Sequence, residues 1–239
     1  MKKIIFYICV VFVAYTLIKS GYYAYQYNNI YKEFKKTEII NTNIDIMPLN
    51  DTYIILEGKI NSNSDKFESE YIKSTNTFAY LEENKEHYWG KSGWQADDTA
   101  KFYANNISVC NIPVDLKKFY IDNSETIENE DIKESYKNYY NKGLYFNKSN
   151  GNEDKRIVYK VLRNNDEVIV FSKVKDGKLV SLSNSCNSII FAGEDKYNKL
   201  ANYLKEIYKQ NIFAFGFSCV ATVVLVLGLI IFKKKYSKG

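Results

Sequence analysis

The sequence predicts an α+β protein, mainly β in its middle, whose extracytoplasmic body lies between two single transmembrane helices. Three observations lead there. An apolar run occupies Ile4–Ile18 and a second occupies Ile212–Phe232. Between them, short runs rich in Ile, Val, Tyr and Phe recur, separated by clusters of Asn, Asp, Ser and Gly. Helical spacing of apolar residues returns just before the second run.

The C-terminal run is the stronger anchor. Its 21 residues carry no charge, and at 1.5 Å per residue they reach roughly 31 Å, the thickness of a hydrocarbon core. The N-terminal run, preceded by Lys2 and Lys3, could also be a signal peptide. Cleavage needs small residues at −3 and −1, and the exit Leu17-Ile18-Lys19-Ser20-Gly21-Tyr22-Tyr23 offers no such pair. Retention as a helix over 1–27 is therefore expected. Tyr22, Tyr23, Tyr25 and Tyr27 then suit the headgroup layer, where a ring with a polar tip is at home.

Charge orients the chain. Of its 33 Lys and Arg, six lie outside the two runs, leaving 27 between them against all 28 Asp and Glu. The basic excess belongs to the membrane flanks, and short Lys-rich tails stay on the cytoplasmic side. Both termini are expected in the cytoplasm and the middle outside it. A middle without net positive charge argues against nucleic acid as a partner. The bias toward Lys, Asn, Ile and Tyr is that of an AT-rich genome, and a bacterial cell membrane is the expected location.

Taken in order, 28–51 reads as a stem and linker. Tyr53–Ile60 is a strand ending in the turn cluster 61–65, and Asn76–Glu83 is another. Tyr88-Trp89, the turn Gly90–Gly93 and Trp94 follow. Ile107–Val114 and Lys117–Ile121 are short β candidates, whereas the acidic stretch 125–141 suggests a surface helix or a loop excursion. Arg156–Leu162 and Glu167–Val174 flank the turn Asn164-Asn165-Asp166. Asp176-Gly177 marks a hairpin into Lys178–Leu182, and Ser188–Phe191 closes the β-rich domain 52–192. Tyr197, Leu200, Leu204, Ile207 and Tyr208 then define an amphipathic juxtamembrane helix over 193–211, ahead of the span 212–232 and the basic tail 233–239.

Chemistry-bearing motifs are sparse. His87 is the single histidine, so neither a Ser-His-Asp constellation with ligands to spare nor a spaced zinc set can be assembled. Gly90-Lys91-Ser92 lacks the glycine five residues earlier that a phosphate loop needs. No catalytic residue, cofactor or metal is expected. Trp89 and Trp94 are read as a hairpin or core pair, or else as bilayer contacts alongside the tyrosines. Ala214, Ser218 and Thr222 form a stripe of small residues that would let helices approach closely. Cys110 and Cys186 could join outside the cell or remain free thiols; two cysteines give no spacing pattern that decides.

An anchor and stem, Asp65-Lys66-Phe67, Tyr80-Leu81-Glu82-Glu83, Tyr88-Trp89, the run Arg156–Arg163 and Asp176-Gly177-Lys178-Leu179-Val180 together resemble the LUMA family of membrane proteins. The order anchor, β-rich domain, anchor is also similar to the GIDE-type domain of the mitochondrial membrane-bound ubiquitin ligase. The resemblance implies a β-rich module beside the membrane, without catalytic residues. Only one anchor follows the domain here, where LUMA proteins have several, and no RING follows Lys233. The functional expectation is a non-enzymatic two-pass protein whose ectodomain mediates interaction, sensing or complex organisation. Its partners would be membrane lipid and an unidentified membrane protein or a second copy of the chain. The alternatives are an exported envelope hydrolase using Glu82, Glu83, Asp97 and Asp98, and an accessory subunit of a transport or secretion complex.

Overall fold

The structure is a computed structural model that describes residues 2–41, 49–62, 78–88, 94–122 and 155–236. Trp89, the turns at 65–67 and 90–93 and the acidic stretch 125–141 lie outside the described residues. So do the side chains of Glu83, His87, Trp94, Asp97 and Asp98. The chain is α+β and divides into two compact units, residues 37–200 and a helical unit formed by 1–36 with 201–239.

In the first unit the strands are β1 (Ile39–Ile40), β2 (Tyr53–Asn61), β3 (Phe78–Tyr88), β4 (Trp94–Tyr103), β5 (Ser108–Val109) and β6 (Ile112–Pro113). They continue as β7 (Phe119–Asp122), β8 (Lys155–Arg163), β9 (Glu167–Lys175), β10 (Lys178–Val180) and β11 (Ser188–Ala192). An eight-stranded mixed sheet runs β6-β5-β2-β9-β11-β7, with β1 parallel to β2 and β10 antiparallel to β9. A separate three-stranded antiparallel sheet runs β4-β3-β8. Leu56, Ile60, Val168, Val170 and Ile190 of the large sheet share one buried cluster with Ala79, Tyr80 and Leu162 of the small one. Ile55, Ile169, Phe171, Ile189 and Phe191 point to the opposite face and are buried as well. A strand buried on both faces reads as a continuous apolar run, which is why β9 and β11 stand out in the sequence.

Turn chemistry sets the registers. Asp176 and Gly177 both take positive φ (49° and 70°) between Lys175 and its partner Lys178, the type I′ geometry that matches strand twist. Cys110 and Asn111 do the same (49° and 66°) between Val109 and Ile112. The Asn164-Asn165-Asp166 turn behaves differently. It leads from β8 in the small sheet to β9 in the large one, so it is a corner and not a hairpin. Backbone bonds Asn165 N to Ile60 O (2.8 Å) and Ile60 N to Asp166 O (3.0 Å) pin that corner to the end of β2. β4 has no counterpart among the predicted strands beyond Trp94, and Lys117–Ile121 divides into a 3-10 turn over Leu116–Lys118 and β7.

The second unit holds α1 (Lys2–Lys36) and the greater part of α2 (Lys196–Tyr236). The stem expected after the first anchor is thus continuous helix to Lys36, and the juxtamembrane helix and C-terminal anchor are one helix. The two pair antiparallel: a Cβ on Gly21 would lie 3.1 Å from the Phe215 ring, and Tyr31 stacks on Tyr208 with centroids 5.0 Å apart. Val10, Val13, Leu17, Ser20, Ala24, Tyr27, Tyr31 and Phe34, spaced alternately three and four apart, are all buried or half-buried, the spacing of a seam between paired helices.

Among the described residues, one helix is long and apolar enough to cross a membrane, within Lys196–Gly228 of α2, and none of its most apolar stretch is buried. The expectation of two such helices is met in one.

Candidate functional site

The small sheet carries a row of polar groups at the rim of the core. Tyr80, Glu82 and Asn84 alternate along β3 and so share a face. Register places Lys101 of β4 on one side of Glu82 and Lys160 of β8 on the other. Opposite charges directly across strands attract, and both ammonium groups close on the carboxylate: Lys101 Nζ at 3.0 Å from Oε2, Lys160 Nζ at 3.5 Å from Oε1. The Tyr80 hydroxyl donates to Oε2 and Asn84 Nδ2 donates to Oε1 at 2.9 Å. Thr99 Oγ1 donates in turn to Asn84 Oδ1 at 2.7 Å. Burial pushes the Glu82 carboxyl up, but the bonds from Tyr80, Asn84 and Lys101 and the charge of Lys160 outweigh it and leave it at about 2. Burial raises the Tyr80 phenol well above its ordinary range, and the Glu82 carboxylate adds to that. Glu82 is therefore a fixed anion and Tyr80 a fixed donor.

Tyr80 also packs against Tyr103 in a tilted pair, ring centroids 5.3 Å apart and planes 46° from parallel. Tyr103 forms one wall of a cleft of about 510 Å³ bounded by residues 103–107, 113–118 and 178–180. Its floor is apolar, with Ile107, Val114, Leu116 and Leu179. Among the described residues, Lys117, Lys118 and Lys178 line it with one carboxylate, Asp115. That carboxylate is engaged: it accepts the Lys117 backbone N–H at 3.3 Å and lies 3.7 Å from Lys118 Nζ. Lys117 Nζ sits 5.9 Å from the centre of the Tyr103 ring. Lys178 has no ion-pair partner among the described residues. The cleft is lined about equally by polar and apolar groups.

The residues singled out in the sequence fall elsewhere. Tyr22, Tyr23, Tyr25 and Tyr27 lie together on α1, with Tyr22 and Tyr25 exposed. Trp94 begins β4 opposite Tyr88. In α2 the Ser218 and Thr222 hydroxyls are satisfied within the helix, donating to Ala214 O at 2.9 Å and Ser218 O at 2.7 Å; the contact of α2 with Gly21 is made by Phe215, one residue from Ala214. Cys110 and Cys186 are separate free thiols, each with Sγ 3.6 Å from a backbone carbonyl, of Glu57 and Asn187 respectively. Sequence reasoning missed the cleft altogether. Its one signal was the doublet Lys117-Lys118, which means little in so Lys-rich a chain.

No family model, no curated protein and no solved structure matches this chain.

Proposed function

We propose that this chain is a two-pass membrane protein with both ends in the cytoplasm, whose α+β body lies outside and works by binding and not by catalysis. The observation that carries the reading is the register of the helix pair. With Gly21 opposite Phe215 in an antiparallel pair, equal rise brings residues 4–18 of α1 level with about 218–232 of α2. If α2 crosses a bilayer, the apolar half of α1 occupies the same layer. Its outward side chains suit lipid: Val11, Phe12 and Ile18 are exposed, as are Phe213, Phe217 and Val220 on α2. Exposed Tyr22 and Tyr25 of α1 then come level with the beginning of the α2 span, at interface height, whereas exposed Tyr15 comes level with its middle.

A binding role is favoured by the state of Glu82. A carboxylate held at about 2 with both oxygens engaged neither takes up nor gives a proton near neutrality, which argues against Glu82 as the acid or base of a hydrolase. The LUMA-like layout points the same way, toward organisation, sensing or complex assembly at the membrane surface.

Cysteine accessibility tests the topology. In a cysteine-free chain, Ser149→Cys should react with an impermeant maleimide in intact cells, and Ser237→Cys should react only after permeabilisation. Protection at position 149 in intact cells, or labelling at 237, would overturn the reading.

A further inference from the structure

We infer that the cleft beside Tyr103 is a binding site for a phosphate group carried on an apolar or aromatic body. The inference deepens the binding role proposed above and rests on it, since it names what the body would bind.

Among the described residues three lysines and one carboxylate line the cleft, and that carboxylate is already engaged by its own turn and by Lys118. Like charges gathered over an apolar floor leave a positive potential that nothing among the described residues cancels. Lys117 and Lys178 approach the space from different strand-to-strand connections, one after β6 and one opening β10. Point-charge donors arriving from separate directions suit a tetrahedral oxyanion; a flat carboxylate is better served by the planar fork of arginine, and none lines the cleft. The apolar part of the ligand would lie chiefly on the half-buried Tyr103 ring, since Leu179 and Val114 beneath it are almost wholly buried. That ring is held from behind by Tyr80, whose hydroxyl is tied to Glu82. Thus the buried glutamate, through Tyr80, fixes the wall against which the ligand would lie. A volume of about 510 Å³ is of small-molecule size. The same chemistry is presented by a soluble organophosphate and by the headgroup of an anionic lipid, and the test separates the two.

Full-length protein in zwitterionic nanodiscs is titrated calorimetrically with phenyl phosphate and, separately, with soluble dihexanoyl phosphatidic acid. Binding of at least one is expected, weakening with added salt. The double variant Lys117→Gln/Lys178→Gln should lose at least about tenfold in affinity, two charge-assisted contacts being removed, while Lys199→Gln on α2 retains it. Binding of phenyl phosphate alone identifies a soluble ligand, and binding of the lipid alone identifies a headgroup. Failure of both probes, or affinity unchanged in the double variant, overturns the site. Because position 149 labelling reads topology independently, loss of the cleft and loss of the two-pass reading are told apart.

Discussion

At the residue scale, Gly58 and Cys110 are one feature. Cys110 occupies the left-handed region at φ 49° because the two-residue β5–β6 turn demands it. Its Sγ then projects over β2 to the carbonyl of Glu57. A Cβ at Gly58 would stand 2.0 Å from that sulfur but 3.8 Å from the cysteine Cβ. Gly58→Ala should therefore destabilise the body by about 1–3 kcal/mol through overpacking, read as a lowered thermal midpoint. Cys110→Ala in the same chain should restore most of the loss, since only the sulfur is in the way. A double variant no more stable than Gly58→Ala alone would show that the strand rejects alanine for some other reason. Nothing in the sequence joins positions 58 and 110; a turn that seats a cysteine at positive φ is visible only once the backbone is traced.

The elements differ in how far they could be read beforehand. Helices and two-sided strands announce themselves: β9 and β11 are apolar on both faces, and α2 carries in plain view a stretch long and apolar enough to cross a membrane. Pairing is a different matter. Asn164-Asn165-Asp166 has the composition of a hairpin turn, yet β8 and β9 part into different sheets. Turn residues specify a local change of direction and do not specify which strand lies alongside. In α1 the sequence shows a stem of scattered Ile and Tyr; its continuity with the first helix comes from the seam shared with α2, since packing along an apolar stripe supplies most of a helix's stability. That seam makes a prediction. In a cysteine-free background, Tyr31→Cys and Tyr208→Cys should be joined by a short bis-maleimide of about 8 Å reach, because the two rings stack at 5.0 Å between facing helices. Adding Gly21→Leu, which places a branched side chain against Phe215, should sharply reduce the yield. An undiminished yield would mean that the close approach at Gly21 does not hold the helices together.

For the molecule as a whole, two sheets must share one core, and the margin of that core is where charge enters the interior. From the sequence, Glu82 and Glu83 are neighbours of equal standing. Only register reveals that Glu82 lies between Lys101 and Lys160. This arrangement ties the stability of the body to pH. The folded carboxyl sits near 2, below its ordinary value of 4.5, so the folded state holds the proton less tightly than the unfolded chain does. The stabilisation is complete above the unfolded value, and it drains away as pH falls from about 4.5 toward 2. Glu82→Gln has no such titration. At pH 7 it should be less stable than the wild type by about 1–3 kcal/mol, the scale of a broken charge-assisted network whose lysines can still reach water. The gap in thermal midpoint, followed by near-ultraviolet circular dichroism, should then close steadily below pH 4.5. A gap that stayed constant down to pH 2 would show that the two lysines, Tyr80 and Asn84 hold a neutral side chain as well as an ionised one. In that case the fixed anion behind the Tyr103 wall would not be what anchors it.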